Sequence, residues 1–182
     1  YYVDKTAPAT EMKIGGDDFS KVDNGVVSED PEISFSATDA VSGADDAETK
    51  LTIEYDSTTI SVTDISKSGS KLSELIGTDL VDGTKYKVTF DSKDKAGNQT
   101  DSKTATFTYD SSKPEVTIDI ITAATRSEYP GIFNKDVTYK LTAKGTNLKE
   151  EGLEVTENGT AKTVTWTVTN EGDYEATAQA TV

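Results

Sequence analysis

Between Lys85 and Tyr109 the chain changes side at almost every residue. Tyr86, Val88 and Phe90 alternate with Lys85, Lys87 and Thr89, and the alternation resumes after Asp94-Lys95-Ala96-Gly97-Asn98 through Ala105, Phe107 and Tyr109. A period of two puts every apolar side chain on one face of an extended segment, where a helix would need spacings of three and four. The small, φ-permissive residues Ala96, Gly97 and Asn98 supply a turn between the two runs, so the stretch reads as a hairpin. Gly83 lies three residues before Tyr86 at the mouth of the first strand. That spacing predicts a tyrosine corner, in which the ring is buried and the hydroxyl bonds to backbone a few residues upstream, and such corners belong to β-sandwiches.

A second motif recurs along the chain. Tyr2-Val3-Asp4-Lys5-Thr6-Ala7-Pro8 is matched by Tyr109-Asp110-Ser111-Ser112-Lys113-Pro114, and the two prolines stand about 106 residues apart. In both, an aromatic strand end is followed by Asp, Lys and Pro. Proline fixes its own φ and holds its predecessor extended, so each reads as a short, stiff seam between domains. The expected division is 1–110 and 111–182, with residues 1–4 the tail of a preceding domain and the second domain incomplete at its C-terminus, lacking its last strand.

Within the first unit, further strands are expected over Thr10 to Ile14, over Glu32 to Ala37 with Ile33, Phe35 and Ala37 inward, over Leu51, Ile53 and Tyr55, and over Ile60 and Val62. Lys71 to Ile76 has the spacing of a single helical turn. The second unit repeats the order through Val116, Ile118 and Ile120, then Val137, Tyr139 and Leu141, then Leu153 and Val155, the Asn158-Gly159 turn, and Val164, Trp166 and Val168. Its last strand begins at Gly172-Asp173-Tyr174, and Tyr174 is matched to Tyr86. The fold class is therefore all-β, two consecutive sandwiches, with Tyr86, Tyr174, Gly83, Gly97 and Trp166 as structural residues.

Composition sets limits on function. Thirty-three acidic against eighteen basic residues give a net charge of −15, which repels nucleic acid and anionic membrane surfaces. With no histidine and no cysteine, Ser-His-Asp and Cys-His mechanisms, disulfides and the usual zinc sites are excluded. Ser68 to Lys71 and Ser92 to Lys95 fit a Ser-x-x-Lys pattern, but without its companion motifs, and Ser92 falls on a strand. No apolar run approaches the roughly 20 residues of a membrane span. The expectation is a non-enzyme, monomeric, without direct membrane insertion and without a required cofactor.

Taken together, the Asp-x-x-x-Pro openings at Asp4 and Asp110, the Asp-Gly-x-x-Tyr step at Asp82 and the turn at Asp94 to Asn98 resemble the immunoglobulin-like and fibronectin-type-III-like tandem domains of bacterial, especially Gram-positive, surface proteins. The resemblance covers the first unit and most of the second. It implies an extracellular, cell-surface location, neighbouring domains of the same kind as partners, and a part as spacer, adhesion module or accessory of a large surface enzyme. It also implies isopeptide welding as an option, for which Lys13 is a candidate. The second unit departs from the pattern by lacking an Ala-Gly-Asn turn.

Two candidate binding regions remain. In a sandwich the loop after the Phe35 strand and the turn after Phe90 share a pole, so Asp39, Asp45, Asp46 and Asp94 are candidates to converge near Asp4 as hard oxygen ligands for calcium. Tyr129 and Phe133, in the out-of-period loop Tyr129-Pro130-Gly131-Ile132-Phe133, are candidates for contact with a glycan or host protein.

Overall fold

The computed structural model describes residues 3–122, 136–145, 148–157, 159–170 and 173–180. Nearly all the regular structure is β, and the chain divides into two compact units, Tyr1–Ser111 and Ser112–Val182.

Unit 1 is built from two sheets. The first, in the order β2-β1-β4-β7, contains β1 (Ala9–Ile14), β2 (Asp17–Asp18), β4 (Glu32–Thr38) and β7 (Ser70–Lys71). The second, in the order β3-β9-β8-β5-β6, contains β3 (Gly25–Val27), β5 (Lys50–Tyr55), β6 (Thr58–Val62), β8 (Lys85–Asp91) and β9 (Lys103–Tyr109). All pairings in this unit are antiparallel except β3 on β9, which run parallel. Two short helices, α1 (Phe19–Val22) and α2 (Leu72–Ile76), sit in the connections, and α2 is the helical turn expected over Lys71 to Ile76.

The alternation places the core where it was expected. Ile33 and Phe35 of β4, Leu51 and Ile53 of β5, Tyr86, Val88 and Phe90 of β8, and Ala105 and Phe107 of β9 all join one buried cluster with Met12 and Ile14 of β1. Aromatic rings bridge the layers and the strands: Phe35 meets Phe90 at 5.3 Å between centroids, and Tyr86 meets Phe107 at 6.1 Å. Each such side chain contributes about 1.5–3 kcal/mol through the apolar surface it withdraws from water. The unit needs no disulfide to hold these layers together.

The corner at Tyr86 is formed. Its ring is 1% exposed, and its hydroxyl accepts a hydrogen bond from the Val81 amide at 3.2 Å. Gly83, at φ +81°, gives the preceding turn its left-handed step, and its amide donates to Tyr109 O at 2.8 Å. The corner therefore ties the start of β8 to the end of β9.

Unit 2 departs from the expected repeat. It has a four-stranded sheet in the order β10-β11-β15-β14, from β10 (Glu115–Thr122), β11 (Val137–Lys144), β14 (Thr167–Asn170) and β15 (Asp173–Ala180), and a separate hairpin of β12 (Thr156–Glu157) and β13 (Thr160–Ala161) turning through Gly159 at φ +77°. Val137, Leu141, Ala143 and Ala176 are buried as inward residues. Val116, Ile118 and Ile120 share a face but are 63%, 66% and 53% exposed. The reason is their strand's position: β10 lies at the sheet edge, with β11 on one side and, among the described residues, no second sheet over it. Leu153, Val155, Val164 and Trp166 lie outside strands, and Val168 of β14 is 60% exposed.

Tyr174 also differs from its proposed counterpart. Tyr86 lies on a strand between β5 and β9, whereas β15 pairs with β11 and β14, beside the counterpart of β4. The Tyr174 hydroxyl donates to Leu148 O at 3.2 Å, twenty-six residues upstream, so it pins a distant loop and makes no corner.

Candidate functional site

The residues at the start of unit 1 and two of its loops meet at one pole. Ala9, first in β1, pairs with Thr38, last in β4, and the loop after β4 reaches across to the β8–β9 turn through a bridge between Ala44 and Asp94. Asp45 N donates to Lys93 O at 2.9 Å and Lys95 N to Gly43 O at 3.1 Å, so the two loops are laced together by backbone.

Each loop is shaped by its own aspartate. Asp39 Oδ1 accepts from the amides of Val41, Ser42 and Gly43 at 2.9, 2.8 and 2.9 Å, which curls the chain around one carboxylate. In the β8–β9 turn Gly97 N donates to Asp94 O at 3.1 Å, and Gly97 itself takes φ +91°, the left-handed position that closes a short hairpin loop. Asp94 is 2% exposed, and its two oxygens accept from Asn98 N at 2.7 Å and Asn98 Nδ2 at 2.6 Å. A buried carboxylate so bonded stays charged without a lysine partner.

Asp4 comes in from the entering chain and completes the group. Its carboxylate accepts from Thr6 N and Ser42 N, both at 3.0 Å, and its carbonyl accepts from Asn98 Nδ2 at 3.3 Å. One oxygen from each of Asp4, Asp39 and Asp94 lies within 4.8 Å of the others. The hydrogen bond from Thr6 N, with those from Ser42, holds the Asp4 carboxyl below its ordinary value of 3.8. For Asp94, burial pushes the carboxyl up, and the bonds from Asn98 and Ser42 together outweigh it, so its value also falls.

Two of the four aspartates expected to converge here do so. Asp45 turns away: its side chain accepts from Ala47 N at 3.0 Å and its carbonyl from Thr49 Oγ1 at 2.8 Å. Asp46 is likewise outside the cluster. The separation arises because Asp39 has already fixed the first half of the loop, which leaves Asp45 to shape the second half. Asn98, which sequence reasoning took only as a turn residue, proves to be the hub, since its side-chain amide touches both Asp94 and the Asp4 carbonyl. Three carboxylates offer the hard oxygens that calcium prefers, though such ions ordinarily take six to eight oxygen ligands. The same charges already face a ring of backbone amides, and this gives the cluster a second, purely structural use: fastening the entering chain to both loops.

The other singled-out residues are occupied differently. Ser68 Oγ accepts from Phe35 N at 2.8 Å, and Ser92, fully buried, shares a hydrogen bond with Thr49 Oγ1 at 2.7 Å, so both Ser-x-x-Lys serines hold strands in place. Lys13 is exposed on β1, in register with Ser34 and Asp18. Trp166 is half-buried and lines an open hollow of about 510 Å³ with Leu153, Val155 and Lys162. Tyr129 and Phe133 lie outside the described residues. No described helix is long and apolar enough to cross a membrane.

At the opposite pole the chain leaves unit 1. Asp110 N donates to Val27 O at 3.0 Å, and Asp82 Oδ1 accepts from both Ser111 N at 2.6 Å and Ser111 Oγ at 2.9 Å. Entry and exit are thus each fastened by an aspartate, at the two ends of the strands. No family model, curated protein or solved structure matches the chain.

Proposed function

We propose that this chain is a non-catalytic segment of tandem immunoglobulin-like units, a spacer or adhesion stalk in a bacterial cell-surface protein. One observation carries the reading: unit 1 receives the chain at Asp4 and releases it at Ser111 at opposite ends of its strands, with both points held by hydrogen bonds to loops. A seven-residue strand spans roughly 24 Å, so a unit built this way adds its strand length to the separation of its two neighbours along the chain. A unit whose ends met at one pole would add almost nothing. The high negative charge supports the same reading, because it keeps copies on a crowded surface apart.

The test places the chain between a surface anchor and a short epitope. Antibody access to the epitope past a dense surface layer is expected to rise with one copy of the chain and again with two. Access that does not change with copy number would remove the spacer reading.

A further inference from the structure

Four large apolar side chains left in water lie on one strand. Val116, Ile118, Ile120 and Ile121 all belong to β10, none is less than 53% exposed, and among the described residues β10 has a neighbour, β11, on one side only. A long apolar edge is a template for pairing with another chain, and β10 carries neither lysine nor proline to discourage it. Pro114 stands just before the strand, and its register with β11 slips between Ile120 and Thr122, so the regular stretch runs from Glu115 to Ile120.

The order of residues in that stretch selects what fits against it. Val116-Thr117-Ile118-Asp119-Ile120 has the same pattern read in either direction, apolar at the ends and centre and polar between. Laid antiparallel on a second β10 with Ile118 opposite Ile118, it sets Val116 against Ile120 on one face and Thr117 against Asp119 on the other. β-branched apolar residues then face their own kind, and no carboxylate opposes a carboxylate. A shift of the axis by one residue loses this: centred on Thr117, Glu115 faces Asp119, and centred on Asp119, that residue faces itself. Charge on the neighbouring strand fits the same contact. Glu115 is in register with Lys144 and Asp119 with Lys140, while Lys140 also reaches Glu175 at 2.7 Å. Three carboxylates thus share this face with two lysines, in a chain whose net charge is −15.

We propose that β10 is a homophilic contact, pairing antiparallel with the β10 of a second copy about a twofold axis at Ile118 and joining two four-stranded sheets into one. Val116, Ile118 and Ile120 each gain an apolar neighbour on their open side. One strand pair buries well under the roughly 1,200 Å² of a stable interface, so between free molecules the contact is weak, with a dissociation constant on the order of 10⁻⁴ M. It takes hold where many copies are tethered together. β15 runs in the direction of β10, since both pair antiparallel with β11, so two chains joined through β10 run in opposite directions. On the adhesion reading, on which only this last step rests, that arrangement suits copies arriving from two facing surfaces.

Sedimentation of the intact chain over a concentration series is expected to show a monomer–dimer equilibrium that strengthens between about 0.15 M and 1 M salt, as the like net charges are screened. Ile118→Lys and Ile118→Glu are each expected to weaken the dimer at least about tenfold, because like charges then meet on the axis, and an equimolar mixture of the two to recover it. Ile118 is exposed, so neither variant disturbs a core. Val116→Lys mixed with Ile120→Glu is expected to pair more tightly than either alone, a result that a parallel, in-register alignment would not give. Ser61→Lys, on the free edge strand β6, is expected to leave the dimer unchanged. A chain that stays monomeric throughout, Ile118 variants that pair as the parent does, or loss of pairing in Ser61→Lys would overturn the proposal. Slow amide exchange along β10 in dilute solution would overturn it too, by showing that the chain covers this edge itself. A failed dimer would leave the epitope-reach result standing, and a failed reach experiment would leave the dimer standing.

Discussion

At the scale of single residues, two side chains carry measurable consequences. Tyr86→Phe keeps the ring contacts with Tyr55 and Phe107 and removes only the acceptor for Val81 N. Urea unfolding of unit 1 is expected to show a loss of about 1 kcal/mol, the usual net worth of one intramolecular hydrogen bond. Asp4 and Asp94 make the second case. Both have folded values below the ordinary 3.8, so the stability they contribute is fully present above that value and is lost as pH falls through the lowered folded values. Acid titration monitored by the unit 1 melting temperature is expected to fall less steeply below pH 3.8 in Asp94→Asn than in the parent, once the variant's lower starting stability is subtracted. Tyr86 was legible because a glycine three residues earlier announces its corner. Tyr174 was not, because a tyrosine at a strand's start does not say which strand will be its neighbour. The choice between Asp39 and Asp45 was equally hidden, since both are loop aspartates and only the order in which the loop curls separates them.

At the scale of elements, the β8–β9 turn and the sheet edges show what alternation can and cannot tell. Gly97 has open space around its missing Cβ, but its φ of +91° is strained for any other residue. Gly97→Ala is expected to cost about 1–2 kcal/mol in urea unfolding, the cost of a left-handed step for a side chain with a Cβ. Because Asn98 comes directly after it, the same substitution is expected to shift the amide resonances of Thr6 and Ser42 in NMR spectra. Alternation located β4, β5, β8 and β9 and the face each buries. It placed Val116, Ile118 and Ile120 on a common face in the same way, yet that face is open, because period two identifies a side and is silent about what lies over it. Val164 and Trp166 alternate too, but nothing in the register of β12–β13, only two residue pairs long, extends to hold them in a strand.

At the scale of the whole molecule, the two units differ in how much apolar surface they enclose. Unit 1 buries a continuous aromatic and aliphatic cluster, while the described part of unit 2 leaves much of β10 in water. Hydrogen exchange on the intact chain is expected to find its slowest amides in β5, β8 and β9, and markedly faster exchange along β10 and β14. Comparable protection in both units would contradict the difference. The repeat in the seams forecast two units, and the division falls at Ser111. The forecast of like topology failed because seam motifs record how units are joined, and the pairing within a unit depends on contacts far apart in the chain.

The outer strand β6 brings one last consequence. Thr58-Thr59-Ile60-Ser61-Val62 carries neither charge nor proline and forms the free border of its sheet, so nothing in the strand itself discourages another chain from docking there. The surplus of carboxylates elsewhere on the molecule sets like charge against like charge when two copies approach. Near the isoelectric point of about 4.3, or in concentrated salt, that mutual avoidance would be lost and Thr58 to Val62 would be left as a seed for fibrous stacking, whereas in stronger acid the eighteen lysines and arginines would restore it with the opposite sign.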